Sequence, residues 1–274
     1  MLNRASTLYV LFASLAFSVQ AKETVTVTGS TSVSHVVEVL AETYSSTNKD
    51  TFIAVQGVGS SAGITAVKQE AADIGMSSRY LKAAEINPDV QTVTIAHDGI
   101  ALVVNKNNPV SNLTKEQVSK IYHGDITNWK AVGGPDLKIA VVSRENASGS
   151  RFSFEDFMDL TQQVAGQTVS DINPQVLVVN TNGTVKSLVS RNAHAIGYLS
   201  LGSVDDSVKA LSFDGVQPTL ANLESGEYKI SRPFLMLFKE KKITDNAKDF
   251  LNFVISEGGQ NIIDQRGYIA VHQK

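Results

Sequence analysis

TVTVTGSTSVSHVVEVLAETY, Thr24 to Tyr44, changes its period halfway along. Thr24 to Thr28 alternates β-branched residues and reads as a strand. Gly29-Ser30-Thr31-Ser32 follows as a turn. Val33, Val36, Val37, Leu40, Ala41 and Tyr44 then repeat at spacings of 3, 4, 7, 8 and 11 residues, which is one apolar face of a helix. Ser30, Thr31 and Ser32 thus stand where the helix N-cap is expected.

The same order recurs downstream. Phe52 to Gln56 (FIAVQ) reads as a strand, Gly57 to Ser61 (GVGSS) as a loop and Ala62 to Ala72 as a helix. Asp73 to Ser78 (DIGMSS) reads as a short buried strand entering a loop. Thr92 to Ala96 and Gly99 to Asn105 read as two further strands, and Thr114 caps a helix to Tyr122. Ile139 to Ser143 (IAVVS) is a strand followed by RENASGS, Arg144 to Ser150. A helix over Arg151 to Thr161 turns Phe154, Phe157 and Met158 inward. Strands at Val176 to Val179 and Ala195 to Leu199 flank a helix near Thr184 to Arg191. Pro233 to Phe238 is a strand, and Asp245 to Ser256 the last long helix. Strands alternating with helices imply an α/β fold with mostly parallel sheets. No fixed repeat or low-complexity linker divides the chain. A second lobe must therefore be entered and left through strands, and Gly99–Asn105 and Ile230–Phe238 are the expected crossings.

The 274 residues are 42% hydrophobic and 19% charged, enough for a sizeable core. A net charge of -3 lacks the basic footprint of a nucleic-acid binder, and an anion site must be built locally. At the N-terminus, Arg4 precedes the apolar run Thr7 to Phe17, and Val19-Gln20-Ala21 supplies small residues at a cleavage site. Residues 1–21 are expected to be a cleavable signal peptide, the run being too short for a comfortable membrane anchor. Cysteine is absent, so no lipid-bearing cysteine follows cleavage, and a soluble periplasmic protein is expected.

Three loops follow strands, carry hydroxyls or glycine, and open helices: Gly29–Ser32, Gly57–Ser61 and Ser148–Ser150. Helix N-termini present free N–H groups and a partial positive charge, which suits anions. In open α/β sheets such loops gather at the carboxyl ends of the strands. Any one of them alone is adequately explained as ordinary capping. Arg144 ends an apolar strand, where an unpaired cation is costly. Its planar fork suits a tetrahedral oxyanion, or else a carboxylate such as Glu145 or Glu155.

Other motifs compete. Gly59-Ser60-Ser61-Ala62-Gly63 matches the nucleophile elbow G-x-S-x-G, making a serine hydrolase the rival enzyme reading. Its candidate bases, His97, His123, His194 and His272, lie in no partner motif. Gly57-x-Gly59-x-x-Ala62 is only a loose dinucleotide fingerprint. No metal-ligand spacing occurs, and no cofactor is called for. Sequons at Asn112, Asn146 and Asn182 are expected to be unused.

Taken in order, TVTGSTSV, VQGVGSSAG, ADIGMSS, IYHGDITNW, SRENASGSRFSFEDF and AIGYLSLG resemble the periplasmic phosphate-binding proteins of the phosphate ABC transporter. The resemblance covers nearly all of the chain after residue 21. It implies a type II two-lobed binding-protein fold, with two mixed sheets joined by two crossing strands. On that pattern lobe 1 comprises residues 22–102 plus 234–274, and lobe 2 residues 103–233. It implies a non-enzymatic monomer that holds inorganic phosphate between the lobes and delivers it to inner-membrane ABC permease subunits. The implied phosphate ligands are Ser30, Thr31, Ser32, Ser60, Ser61, Ser78, Arg144, Ser148, Gly149 and Ser150. The family often has an aspartate at the position of Ser78, where it accepts a hydrogen bond from a protonated phosphate and repels fully ionised sulfate. Asn146 likewise replaces a common acidic partner of the arginine. A site for another oxyanion, such as sulfate, is the alternative these changes leave open.

Overall fold

The computed structural model describes residues 22–271; the expected signal peptide and His272 lie outside them. The first half of the chain runs β1 (Glu23–Gly29), α1 (Thr31–Thr47), β2 (Thr51–Gly57), α2 (Ser60–Lys68), β3 (Ile74–Ser77), β4 (Val90–Val104), β5 (Asn112–Leu113), α3 (Lys115–His123), β6 (Ala140–Arg144) and α4 (Gly149–Phe157). It continues through β7 (Thr161–Val164), β8 (Gln167–Ser170), β9 (Leu177–Val179), α5 (Asn182–Arg191), β10 (Ala195–Ser200), β11 (Lys209–Ala210) and β12 (Ser212–Phe213). The last elements are α6 (Leu220–Glu224), β13 (Ser231–Lys239), α7 (Asp245–Ile255), α8 (Glu257–Gln265) and β14 (Ile269–Ala270).

The main hydrogen-bonded path is β2-β1-β3-β13-β4-β10-β6-β9. β4 belongs to both lobes. Val90 to Gly99 pair with β13, whereas Ile100 to Val104 pair with β10. The chain returns at Ile230, whose carbonyl accepts the Ile100 N–H at 2.9 Å, next to Ser231 at the start of β13. Pairing of β1 with β2 and β3, and of β6 with β9 and β10, is parallel. β13 is antiparallel to both β3 and β4, so the sheet is mixed rather than mostly parallel.

Each lobe has its own core. In the first, α1 lays Val33, Val36, Val37, Leu40 and Tyr44 on Val25, Val27 and Ile74, with Phe250 of α7 beside them. In the second, Tyr122, Trp129, Phe154 and Tyr198 fill one face of the sheet and Val185 and Val189 of α5 the other. Burying each large side chain stabilises the fold by about 1.5–3 kcal/mol, an upper estimate because unfolded chains already bury some surface.

Several boundaries differ from expectation. The strands expected at Thr92–Ala96 and Gly99–Asn105 are one 15-residue strand. Asp98 and Gly99 break its apolar pattern, but successive pairing to β13 and β10 keeps it extended. α2 starts at Ser60 and stops at Lys68, with Glu70 left-handed at φ 59°. α4 starts at Gly149 and stops at Phe157, with Asp159 at φ 56°, and Thr161, its expected last residue, instead opens the β7–β8 hairpin. Ser256 ends α7 and also caps α8, a helix absent from the sequence reading.

Candidate functional site

Three helix starts meet between the lobes. Ser30 caps α1, its Oγ accepting the N–H groups of Ser32 and Val33. Ser148 caps α4, accepting the Arg151 N–H. α2 opens at Gly59, whose φ of +101° suits glycine, and a Cβ there would meet Ala147 of the other lobe at 2.9 Å. The Ser61 N–H donates across the same gap to the Ala147 carbonyl at 3.1 Å.

The expected loops bring their hydroxyls into contact. Ser30 Oγ donates to Ser78 Oγ at 2.9 Å, and the Ser78 N–H donates to Ser60 Oγ at 3.0 Å. Ser60 and Ser78 hydroxyls are 3.4 Å apart. From the opposite lobe, Ser150 Oγ reaches Ser32 Oγ at 3.1 Å. All of these serines are buried. Gly149 lies over them so closely that a Cβ would fall 2.3 Å from Ser60 Oγ and 2.6 Å from Ser78 Oγ.

Arg144, Thr31 and Asn182 flank this cluster. Arg144 donates to Thr31 Oγ1 across the cleft at 3.0 Å, to the Asn180 carbonyl at 2.7 Å and to Asn182 Oδ1 at 3.1 Å. Its Nε also pairs with Glu145 at 3.1 Å, the carboxylate alternative foreseen for it, while Glu155 pairs with Arg151 instead. Asn182, read from sequence only as an unused sequon, donates to Ser32 Oγ at 3.0 Å and so joins Arg144 to the serines. Ser148 serves as a cap, and Ser61 Oγ accepts from Arg79 at 3.1 Å rather than facing the cluster. Asn146 is exposed.

The core fixes the arginine loop from behind. Phe154 stacks on Tyr198 with ring centroids 4.0 Å apart. The Tyr198 hydroxyl accepts the Arg144 N–H at 3.2 Å and meets Ser143 Oγ at 3.0 Å. Burial pushes that phenol up to about 12, leaving it a neutral anchor.

One cation inside the cluster was missed. Arg232 on β13 sits opposite Asp98 on β4, and the two pair at 2.7 Å while both are at most 1% exposed along the side chain. Arg232 also donates to Ser78, Ser150 and Ser32 hydroxyls at 3.2, 2.6 and 3.1 Å. The signal was present as an arginine entering the apolar run Pro233 to Phe238, with Asp98 interrupting another. Burial raises the Asp98 carboxyl pKa, with the charge and hydrogen bonds of Arg232 opposing.

The elbow serine is no nucleophile by geometry. Ser60 Oγ bonds within the serine cluster, and no histidine among the described residues hydrogen-bonds to it. His123 pairs with Asp125 and Asp171, and His194 with the Lys138 carbonyl. No metal-binding group of His, Cys, Asp or Glu occurs among the described residues.

A polar cleft of converging helix starts between two α/β lobes joined through a shared strand defines a two-lobed solute-binding protein. The PBP superfamily domain model matches residues 18–258. The chain is 30% identical over 251 residues to the phosphate-binding protein PstS of Borreliella burgdorferi, covering 90% of each. It is 34% identical over 258 residues to PstS of Bacillus subtilis, covering 92% of this chain and 82% of that one. A phosphate ABC transporter substrate-binding protein from Clostridium perfringens, solved with bound phosphate, superposes with a TM-score of 0.85 at 42% identity over 91% of this chain and all of that one. An ABC-type phosphate transport receptor from Vibrio cholerae gives 0.76 at 48% identity, with 91% of this chain and 100% of the other covered. The chain belongs to the PstS phosphate-binding family of the PBP superfamily.

Proposed function

We propose that this protein binds inorganic phosphate between its lobes and delivers it to an ABC importer. The observation that carries the reading is the meeting of Ser30, Ser32, Ser60 and Ser78 from one lobe with Ser150 from the other. Hydroxyls and helix N–H groups replace the water around a tetrahedral anion, and no bond is made or broken. Charge-assisted hydrogen bonds contribute roughly 1.5–3 kcal/mol each, so a handful reach about -8 kcal/mol, near micromolar, after the cost of closure.

On this reading the ligands are Ser30, Thr31, Ser32, Ser60, Ser78, Arg144, Gly149 and Ser150, while Ser148 caps α4 and Ser61 is held by Arg79 at the edge of the cluster. Thr31, Arg144 and Asn182 support it by bridging the cleft. The lobes divide as residues 22–102 plus 234–274 and residues 103–233, closing as a hinge so that the loaded form meets the permease. The protein acts as a periplasmic monomer, exported by residues 1–21, without nucleic acid as a partner. Among the described residues no helix is long and apolar enough to cross a membrane.

Ser78 supplies a hydroxyl without charge, which favours a second reading as a binder of sulfate-like oxyanions. Calorimetric titration of the chain from Lys22 with phosphate, sulfate and arsenate separates the two. Phosphate is expected to bind near micromolar; heat from sulfate with none from phosphate overturns the phosphate assignment.

A further inference from the structure

We propose that Arg232, aimed from behind by Asp98, is a second guanidinium ligand of the bound anion and the cation that receives it first. The proposal rests on the phosphate reading of the cleft and assigns a residue that reading did not use. Its basis is how the two buried arginines spend their N–H groups.

Arg144 commits its fork to the rim of its own lobe and to Thr31: Glu145, Val179, Asn180 and Asn182 take the remaining bonds. Arg232 divides its donors differently. Nε and one N–H of Nη2 end on Asp98 Oδ2, at 3.0 and 2.7 Å. The other Nη2 donor and both Nη1 donors end on Ser32, Ser78 and Ser150. A guanidinium has five donors in a fixed plane, so the carboxylate on one edge orients the other edge into the serine cluster. A pair serving stability alone needs no such edge. Buried ion pairs are weak evidence for stability, because desolvation consumes much of the attraction.

Asp98 is itself turned away from the cleft. Ser200 and the Gly202 amide lie near its carboxylate, yet Oδ1 makes no well-formed hydrogen bond, and Ser200 Oγ and Tyr268 Oη are likewise unpaired. The negative charge therefore neutralises and positions Arg232 from the rear.

The register places this cation at the hinge. Arg232 opposite Asp98 and Ser231 opposite Gly99 are the last β13 pairs before β4 changes partner at Ile100. Arg232 precedes the lobe boundary expected at residue 234, yet its strand pairs it with Asp98 in the first lobe's sheet, beside Ser32 and Ser78, whereas Ser150 approaches from the other lobe. Parting the lobes removes Ser150 and Arg144 but leaves Arg232 with Ser30, Ser32, Ser60 and Ser78. An incoming anion thus meets a charged half-site on one lobe, and Ser150 and Arg144 complete it on closure.

The test is phosphate titration of wild type, Arg232→Lys and the double variant Asp98→Asn/Arg232→Gln, with a melting curve for each. The double variant replaces the ion pair by amides that can bond each other, so no lone buried charge is left. A tenfold or greater loss of affinity in the double variant, with its melting transition cooperative and within a few degrees of wild type, and partial recovery in Arg232→Lys, is expected. Affinity within threefold of wild type in the folded double variant overturns the proposal. If that variant does not fold, Arg232→Lys decides: a compact cation that matches the planar fork in full affinity overturns it. Failure of wild type itself to bind phosphate sinks the underlying reading instead, so the two failures are distinguishable.

Discussion

At the scale of single residues, the site runs on contacts that a side-chain list cannot convey. Arg144 and Ser150 were legible because each stands in a strand–loop–helix junction with a known chemical use. Arg232 was not, because its place in the cluster depends on Asp98, which lies 134 positions away in sequence and becomes its neighbour only through the β4–β13 register. Arg144→Ala removes a bond to Thr31 across the cleft and frees Asn182 from one of its two partners. We expect phosphate affinity to fall more than tenfold, which is about 1.4 kcal/mol, with the fold retained. Calorimetry of the variant checks it, and an unchanged affinity removes Arg144 from the site.

At the scale of elements, helices announced themselves through caps and periodicity, while interruptions were harder to see. Ser30, Thr114 and Ser148 cap where expected, because each side chain satisfies N–H groups of the turn that follows. The ends of α2 and α4 were misplaced because left-handed residues after them, Glu70 and Asp159, are not glycine and give no local warning. The 3₁₀ turn Ala83–Glu85 illustrates a connection held by charge. Arg79 donates to both oxygens of Glu85 at 2.7 Å, and the Lys82 N–H adds a third bond at 2.8 Å. Burial pushes the Glu85 carboxyl up, but the Arg79 and Lys82 hydrogen bonds and Arg79's charge more than offset this and hold it low. A depressed carboxylate contributes stability above its unfolded pKa near 4.5 and loses it as pH falls through the folded value. Glu85→Gln should therefore melt about 2–4 °C below wild type at pH 7, with the gap narrowing under acid. A gap independent of pH between 7 and 3 would refute the pairing.

At the scale of the whole molecule, the two α/β lobes and their mixed order follow from alternating patterns, yet the passage between them was written in no linker. The lobes also touch outside the serine cluster, at a contact that would latch the proposed closure. Arg79 and Lys82 of one lobe stand 5.0 and 4.9 Å from the Phe152 ring of the other. Each contact is worth about 0.5–1 kcal/mol at a partly exposed site. Phe152→Ala should weaken phosphate binding about two- to fivefold by disfavouring the closed form, and small-angle scattering should show a larger average radius without ligand. Identical affinity and radius would discard the latch. The central placement of β13 between β3 and β4 carries a consequence for biogenesis. A polypeptide emerging N-terminus first leaves both neighbouring strand edges open until Ser231–Lys239 arrive. The late insertion of one strand thus postpones completion of the first-made lobe, leaving the nascent chain exposed to mispairing until its final segment is free.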